Sequence, residues 1–312
     1  MSRCIFLLNR SAGAVQRGLD LPSVCQVVEA AFRQAGHEIT SSIVSPGGLE
    51  SELEKIISSH PDVILIGGGD GSVSAAANQI RGTAIAMGII PTGTFNLAAR
   101  DFGIPLEIEN AAEFLATSET VAVDVLDVSG QTCLCTTILG FYPEFAGFFE
   151  RRDHGGYWWR KALKLLANLR KAFLSARPLF LSWSSDGGSG QARTKFTAIV
   201  PGRYKDHAGL IPERGEFHSG TFTAYFGTQN TAGSAMRGML DYLLGRQEEN
   251  PEVLVVRASH MELNASRRTS CRVMLDGEIL RMRFPIRFSI LPSHLHVLAD
   301  SSKLKEPALQ PP

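Results

Sequence analysis

The residues whose types and spacing could do chemistry begin with Gly67-Gly68-Gly69-Asp70-Gly71-Ser72, which follows the apolar run Val63–Ile66 and opens a helical stretch. Glycine lacks Cβ, so the chain can turn there with positive φ and approach a ligand closely. Successive backbone N–H groups then form a concavity for an anion, and the partial positive charge of a helix start reinforces it. A phosphate suits such a turn. Ser72 or Ser74 can cap the helix. Asp70, the acidic residue inside the turn, suits Mg2+, which prefers carboxylate and phosphate oxygens; a helix-capping carboxylate is the plainer alternative. The run is neither a Walker A loop, whose Lys is missing, nor a complete dinucleotide fingerprint, whose spacing it lacks. A tight turn without a ligand competes with this reading, but three consecutive glycines are costly for a turn alone.

A second turn of the same kind follows the next apolar run: Pro91-Thr92-Gly93-Thr94-Phe95-Asn96, then Leu97-Ala98-Ala99-Arg100. The first apolar run, Cys4–Leu8, opens into Asn9-Arg10-Ser11-Ala12-Gly13. In an open α/β sheet, turns at the carboxyl ends of neighbouring strands form one crevice where ligands bind. Three polar, glycine-bearing turns at one edge favour a nucleotide more strongly than any one of them.

The elements that must position these turns are legible as alternating patterns. Strands are expected at Cys4–Leu8, Ile39–Val44, Val63–Ile66 and Ala84–Ile90. Helices are expected over Pro22–Ala35, with Gly36 as its cap, around Leu49–Ile57, and over Ser72–Ile80. This βαβαβ rhythm implies an open, mostly parallel sheet with helices on both sides, an α/β nucleotide-binding domain over residues 1–122. From 123 to 300 short strand-like runs dominate: Cys133–Leu139, Phe196–Val200, Thr221–Phe226, Val253–Val256, Cys271–Leu275, Ile279–Phe284 and Ile286–Leu291. They read as a β-rich, sandwich-like second domain. One long helix, Tyr157–Ala176, interrupts it. The polar, Pro-rich stretch 301–312 reads as a disordered tail.

Bulk composition narrows the partners. The chain has 312 residues, 44% of them hydrophobic, and a formal net charge of zero. A balanced charge argues against nucleic acid as main partner, because phosphate-backbone binding draws on a basic excess. The cysteines are odd in number and scattered, which fits reduced thiols in a cytoplasmic protein; Cys133 and Cys135 would share a face of one strand. No apolar stretch approaches the roughly 20 residues that span a bilayer. From His154 to Ser185 there is no Asp or Glu, and Arg160, Lys161, Lys164, Arg170 and Lys171 accompany an apolar face that opens on Trp158. A cationic amphipathic helix of this kind suits peripheral contact with an anionic membrane; a solvated surface helix is the alternative.

The sequence resembles the diacylglycerol kinase catalytic-domain family, which includes sphingosine kinases and bacterial lipid kinases. The resemblance rests on Asn9–Gly13, Gly67–Ser72, Gly88–Asn96, Phe102-Gly103-Ile104-Pro105, Val123-Asp124-Val125 and Asp276-Gly277-Glu278, in the family's order. It implies a two-domain kinase that transfers the γ-phosphate of ATP to a lipid alcohol such as diacylglycerol. It implies ATP contacts from Asn9, Ser11, Gly13, Gly67, Gly68, Gly69, Asp70, Gly71, Ser72, Thr94 and Asn96, and Glu278 as the base on the lipid hydroxyl. Mg2+ would lie on Asp70. Asp124 has either a Mg2+ role or a structural role at a strand end. By residue pattern alone Asp276-Gly277 between apolar runs reads as a type I′ hairpin; a tight hairpin is also a stiff mount for a base.

There are departures from the family. Ser72, Ser74 and Ala75 stand where Thr and an Asn-Glu pair are frequent. Phe217-His218-Ser219-Gly220 lacks the acidic pair that holds a structural Mg2+ in some members, so no such metal site is expected. Arg10 replaces a proline. The alternatives are a soluble-substrate kinase of the NAD-kinase type and a non-catalytic nucleotide- or lipid-binding module. A homo-oligomer would be compatible with an exposed strand edge.

Overall fold

The computed structural model describes residues 1–10, 20–45, 47–140, 176–205, 213–228 and 248–304, with Thr231, Ser234, Asp241 and Arg246 besides. The basic helix expected over Tyr157–Ala176 lies, up to residue 175, outside the described residues.

The first part alternates as its pattern requires: β1 (Arg3–Asn9), α1 (Leu21–Gln34), β2 (Glu38–Val44), α2 (Leu49–Ser58), β3 (Val63–Gly68), α3 (Asp70–Ile80), β4 (Ala86–Pro91), α4 (Leu97–Asp101) and α5 (Ile108–Thr117). Helix α1 shows why. Asp20 accepts the Ser23 N–H at its start, Val24, Val28 and Phe32 fall on one buried face, and Gly36 leaves it at φ +85°. The four strands run parallel in the order β2-β1-β3-β4. The crossover from β1 to β2 runs one way along the sheet and those from β2 to β3 and from β3 to β4 the other, so right-handed connections put α1 on one face and α2 and α3 on the opposite face. Accordingly α1 packs with α5, and α2 with α3.

The remainder is β-rich: β5 (Glu119–Val128), β6 (Gln131–Cys133), β7 (Thr137–Gly140), β8 (Leu179–Ser185), β9 (Gly188–Thr194), β10 (Phe196–Pro201), β11 (Phe222–Gly227), β12 (Val253–Ala258), β13 (His260–Ala265), β14 (Ser270–Leu275), β15 (Glu278–Arg283) and β16 (Ile286–Ala299). One separate antiparallel sheet has the order β12-β11-β10-β7-β14-β15. The other strands extend the first sheet, because β16 pairs parallel with β4 and antiparallel with β5 and β13. Between the extension and the separate sheet lies one apolar cluster, in which Trp183 stacks on Phe226 with ring centroids 4.6 Å apart.

Three sequence expectations change. The run Cys133–Leu139 is two strands, because the N–H groups of Leu134, Cys135 and Thr136 turn to the Asp276 carboxylate instead of a neighbouring strand. Cys133 and Cys135 therefore do not share a strand; both are buried free thiols, and burial raises their pKa values. Strand β16 does not stop at Leu291 but continues past an irregularity to Ala299, with Leu295, Val297 and Leu298 in the core of the parallel sheet. Ser301–Leu304 is a helical turn, not a disordered start of the tail, and it buries Leu304 against that same core. Residues 305–312 lie outside the described residues. Strands β8, β9 and β13 and helix α5 carry too weak a pattern to be read in advance.

Candidate active site

The strand order of the parallel sheet reverses between β1 and β3, and the carboxyl ends of these strands flank the crevice that such a reversal opens. Asn9 closes β1, and its Nδ2 donates to Ser72 Oγ at 2.8 Å. Two of the expected turns thus meet through side chains. Ser11 and Gly13 lie outside the described residues.

The glycine run is built for close approach, not for unusual dihedrals. None of Gly67, Gly68, Gly69 and Gly71 has a positive φ, contrary to the expectation. A Cβ on Gly67 would strike Leu8 and Phe6; one on Gly68 would stand 2.5 Å from Ser72 Cβ. Gly69 packs on the second turn: a Cβ on Gly93 would be 2.5 Å from Gly69 Cα. A Cβ on Gly71 would overlap the Glu278 carboxylate, standing 2.6 Å from its Cδ. The N-cap of α3 is Gly69, with no side-chain cap. Neither Ser72 nor Ser74 caps it: Ser72 bonds Asn9, and Ser74 donates to Asp276 Oδ2 at 2.9 Å. An N-terminus without a side-chain cap keeps backbone N–H groups for an anion.

Asp70 caps a helix, though not the one it belongs to. Its Oδ1 accepts the Leu97 N–H at 2.6 Å, so it caps α4, the helix of the second turn. Burial pushes its carboxyl up to about 6, against the bonds from Leu97, Ala98 and Asn96. Asn96 takes a left-handed φ of +51°, and its Oδ1 accepts the Gly93 N–H at 2.8 Å. Its side chain therefore shapes the second turn from within. Thr94 is exposed at the crest of that turn. Thr92, one residue before Gly93, is fully buried, and its hydroxyl has no protein hydrogen-bond partner.

Glu278 reaches this cluster from the far end of the chain. It opens β15 directly after the two-residue turn Asp276-Gly277, whose φ values of +46° and +96° are those of a type I′ hairpin. Asp276 is buried, and its carboxylate accepts from Ser74 Oγ, Cys133 Sγ and the N–H groups of Leu134, Cys135 and Thr136. It bolts the hairpin to α3, and so sets Glu278 beside Gly71. Farther along, α3 is tied to the β-rich part again: Asn78 Oδ1 accepts from Thr132, and Arg81 pairs with Asp127 at 2.6 Å.

The geometry favours the structural role for Asp124. It is buried, its Oδ1 accepts the Ser293 N–H and its Oδ2 the Gly220 N–H. The buried Arg214 supports the same region, donating Nη2 to Asp124 O and its backbone N–H to Asp101 Oδ1, while its guanidinium lies 4.7 Å from the Phe217 ring centroid. Arg214, Asp101 and Thr92 were not singled out as site residues beforehand. An arginine in a polar loop carries no sequence signal of burial. Asp276 was legible as a turn residue, not as an anchor. A hollow of about 660 Å3 lined by Arg3, Arg33 and His37 opens at the amino ends of β1 and β2, away from these turns.

Comparison with known proteins agrees with this layout. Residues 3–128 match the family model of the diacylglycerol kinase catalytic domain. A diacylglycerol kinase of Bacillus subtilis (strain 168) is 24% identical over 98% of this chain and 99% of its own length. Residues 3–128 belong to the diacylglycerol kinase catalytic-domain family. A lipid kinase of Escherichia coli (strain K12), YegS, is 37% identical over 25% of this chain and 27% of its own. The fold matches the crystal structure of a diacylglycerol kinase from Bacillus anthracis str. Sterne with a TM-score of 0.71 at 16% identity, over 96% of this chain and 98% of that one. The similarity to the Bacillus subtilis protein runs over both parts of the chain that build the site described above.

Proposed function

We propose that the protein is an ATP-dependent lipid kinase, which transfers the γ-phosphate of ATP to the hydroxyl of a lipid alcohol such as diacylglycerol. The observation that carries this reading is the meeting of Glu278 with the glycine turn: a carboxylate from the β-rich part stands directly over Gly71. Family membership supports the same activity.

The site residues fit ATP and Mg2+. A helix start without a side-chain cap and the buried Thr92 hydroxyl without a protein partner are features that suit a polyphosphate. Asn9, Ser11, Gly13, the Gly67–Ser72 turn and Thr94 would hold the nucleotide, and Asn96 would keep the second turn in shape. Asp70 is the carboxylate for Mg2+, and Asp124 serves the fold. Bound Mg-ATP supplies the phosphoryl group and the positive charge that offsets its oxygens during transfer. Glu278 holds the lipid hydroxyl and takes its proton as the oxygen attacks. Its mount is rigid, which matters because misplacing a catalytic group by about 1 Å can cost about 10²-fold in rate. In this reading residues 1–122 form the nucleotide-binding domain, residues 123–300 the sandwich-like lipid domain, and the enzyme works at the cytoplasmic face of a membrane.

The test is purified protein with Mg-ATP labelled at the γ-phosphate, offered a panel of lipid alcohols beside NAD. Labelled lipid is expected. Labelled NAD would instead indicate the soluble-substrate alternative, and nucleotide binding without any labelled product would indicate a binding module. Glu278→Gln should lower kcat by about 10²–10⁴-fold and leave ATP affinity nearly unchanged; joint loss of both would make Glu278 structural.

A further inference from the structure

Among the described residues Arg214 is the one buried cation, at 1% exposure. It lies in the connection between β10 and β11 and pairs with Tyr204 in an isolated antiparallel bridge. A planar guanidinium carries five N–H donors in a fixed fork, so it can hold several oxygens at set angles where an ammonium cannot. Here the fork meets three carbonyl oxygens from three segments. Nε donates to Glu216 O at 2.7 Å, Nη2 to Asp124 O at 2.9 Å and Nη1 to Leu134 O at 3.4 Å. Burial works against its charge, and the carboxylates of Asp101 and Asp124 work for it.

The partners lead to both sides of the candidate site. Leu134 gives its carbonyl to Arg214 and its N–H to Asp276 Oδ2 at 2.7 Å, and Asp276 stands two residues before Glu278. Tyr204 donates its hydroxyl to Thr136 Oγ1 at 3.0 Å, and the Thr136 N–H is held by Asp276 too. On the other side Arg214 donates its backbone N–H to Asp101 Oδ1 at 2.9 Å. Asp101 is the last residue of α4, and the first, Leu97, is held by Asp70 of the glycine turn. A helix of five residues is too short to be stable by itself, so its place depends on such ties.

We infer that Arg214 is a positioning residue for phosphoryl transfer, which fixes the mount of Glu278 against the nucleotide turns through Leu134 and Asp276 on one side and Asp101 and α4 on the other. The inference rests on the lipid-kinase reading and adds to it a residue outside the turns and the hairpin. Buried as it is, Arg214 acts on the reaction through these neighbours and not on either substrate.

The test is Arg214→Lys, which keeps the charge and loses the fork. In the full chain, with labelled Mg-ATP and a lipid alcohol in neutral detergent micelles, it should lower kcat about 10²-fold, the scale of a misplacement of about 1 Å. Lipid KM and ATP affinity should change little, because the contact serves the transition state and not binding. A role confined to stability would lower the thermal midpoint and leave the kcat of the folded variant at the wild-type value, and that result overturns the inference. On a Glu278→Gln background Arg214→Lys should cause little further loss, since residues that act as a unit are not additive; a second loss of about 10²-fold there also overturns it. If Arg214→Lys does not fold, Phe217→Leu decides. It keeps the guanidinium and removes the ring whose centroid lies 4.7 Å from it. This variant should lower kcat to a smaller extent, again with little further loss beside Glu278→Gln, and a folded Phe217→Leu protein with wild-type kcat overturns the inference. If wild-type protein labels no lipid, the kinase reading falls and the inference with it. If wild-type protein labels lipid and folded Arg214→Lys does so at the same rate, only the inference falls.

Discussion

At the residue scale, the site depends on atoms that are missing as much as on those present. Gly71 has no room for a side chain because Glu278 occupies that space. Gly71→Ala should displace the carboxylate and lower kcat about 10²-fold. ATP affinity should fall much less, and steady-state kinetics beside a nucleotide titration separates the two effects. Glu278→Gln probes the same contact from the other side. Asp101 provides a pH-dependent signal. Burial raises its carboxyl from 3.8 to about 7, with the Arg214 N–H opposing the shift. Between these values the folded protein keeps a proton that the unfolded chain releases, so ν_N exceeds ν_U and stability falls as pH rises. Urea midpoints should therefore decline from about pH 4 to about pH 7. Asp101→Asn should remove this share of the slope while leaving an acceptor for the Arg214 N–H.

At the element scale, α3 and the β14–β15 hairpin work as one unit. Helix α3 presents the glycine turn at its start and is fastened to the β-rich part through Ser74, Asn78 and Arg81. The central fastening is Asp276, a carboxylate enclosed by five donors. Asp276→Asn replaces an acceptor by an amide donor facing backbone N–H groups. Unmet buried hydrogen bonds to a charged group cost about 1.5–3 kcal/mol each. A loss of about 3 kcal/mol in urea unfolding is expected, together with lower turnover, because the mount of Glu278 loosens. Ser74→Ala should cost about 1 kcal/mol. Ser74 is thus a part of the fastening.

At the scale of the molecule, the two parts share a strand. The last turns of β16 lie parallel to β4, and Leu295, Val297 and Leu298 complete the core of the parallel sheet. A fragment of residues 1–128, the segment matched by the family model, lacks them and leaves the β4 edge open. Exposed sheet edges and incomplete cores favour aggregation. The fragment should show no cooperative thermal transition, whereas the full chain should unfold as one unit; a sharp transition in the fragment would show that it folds alone.

The sequence by itself determined the parallel α/β start, the polar turns after β3 and β4 at one sheet edge, and the hairpin at Asp276-Gly277. These rest on local rules: apolar runs of strand length, helical spacing, and glycine or Asp-Gly chemistry act between neighbours in the chain. Tertiary structure alone decided the rest. Gly67, Gly68 and Gly71, expected to serve turning, serve approach, since what limits them is Phe6, Leu8, Ser72 and Glu278. Asp70 caps α4 and not α3, and Asp124 and Asp276 hold backbone N–H groups from distant segments. A carboxylate's role depends on which donors surround it, and those donors come from parts of the chain that only folding brings together.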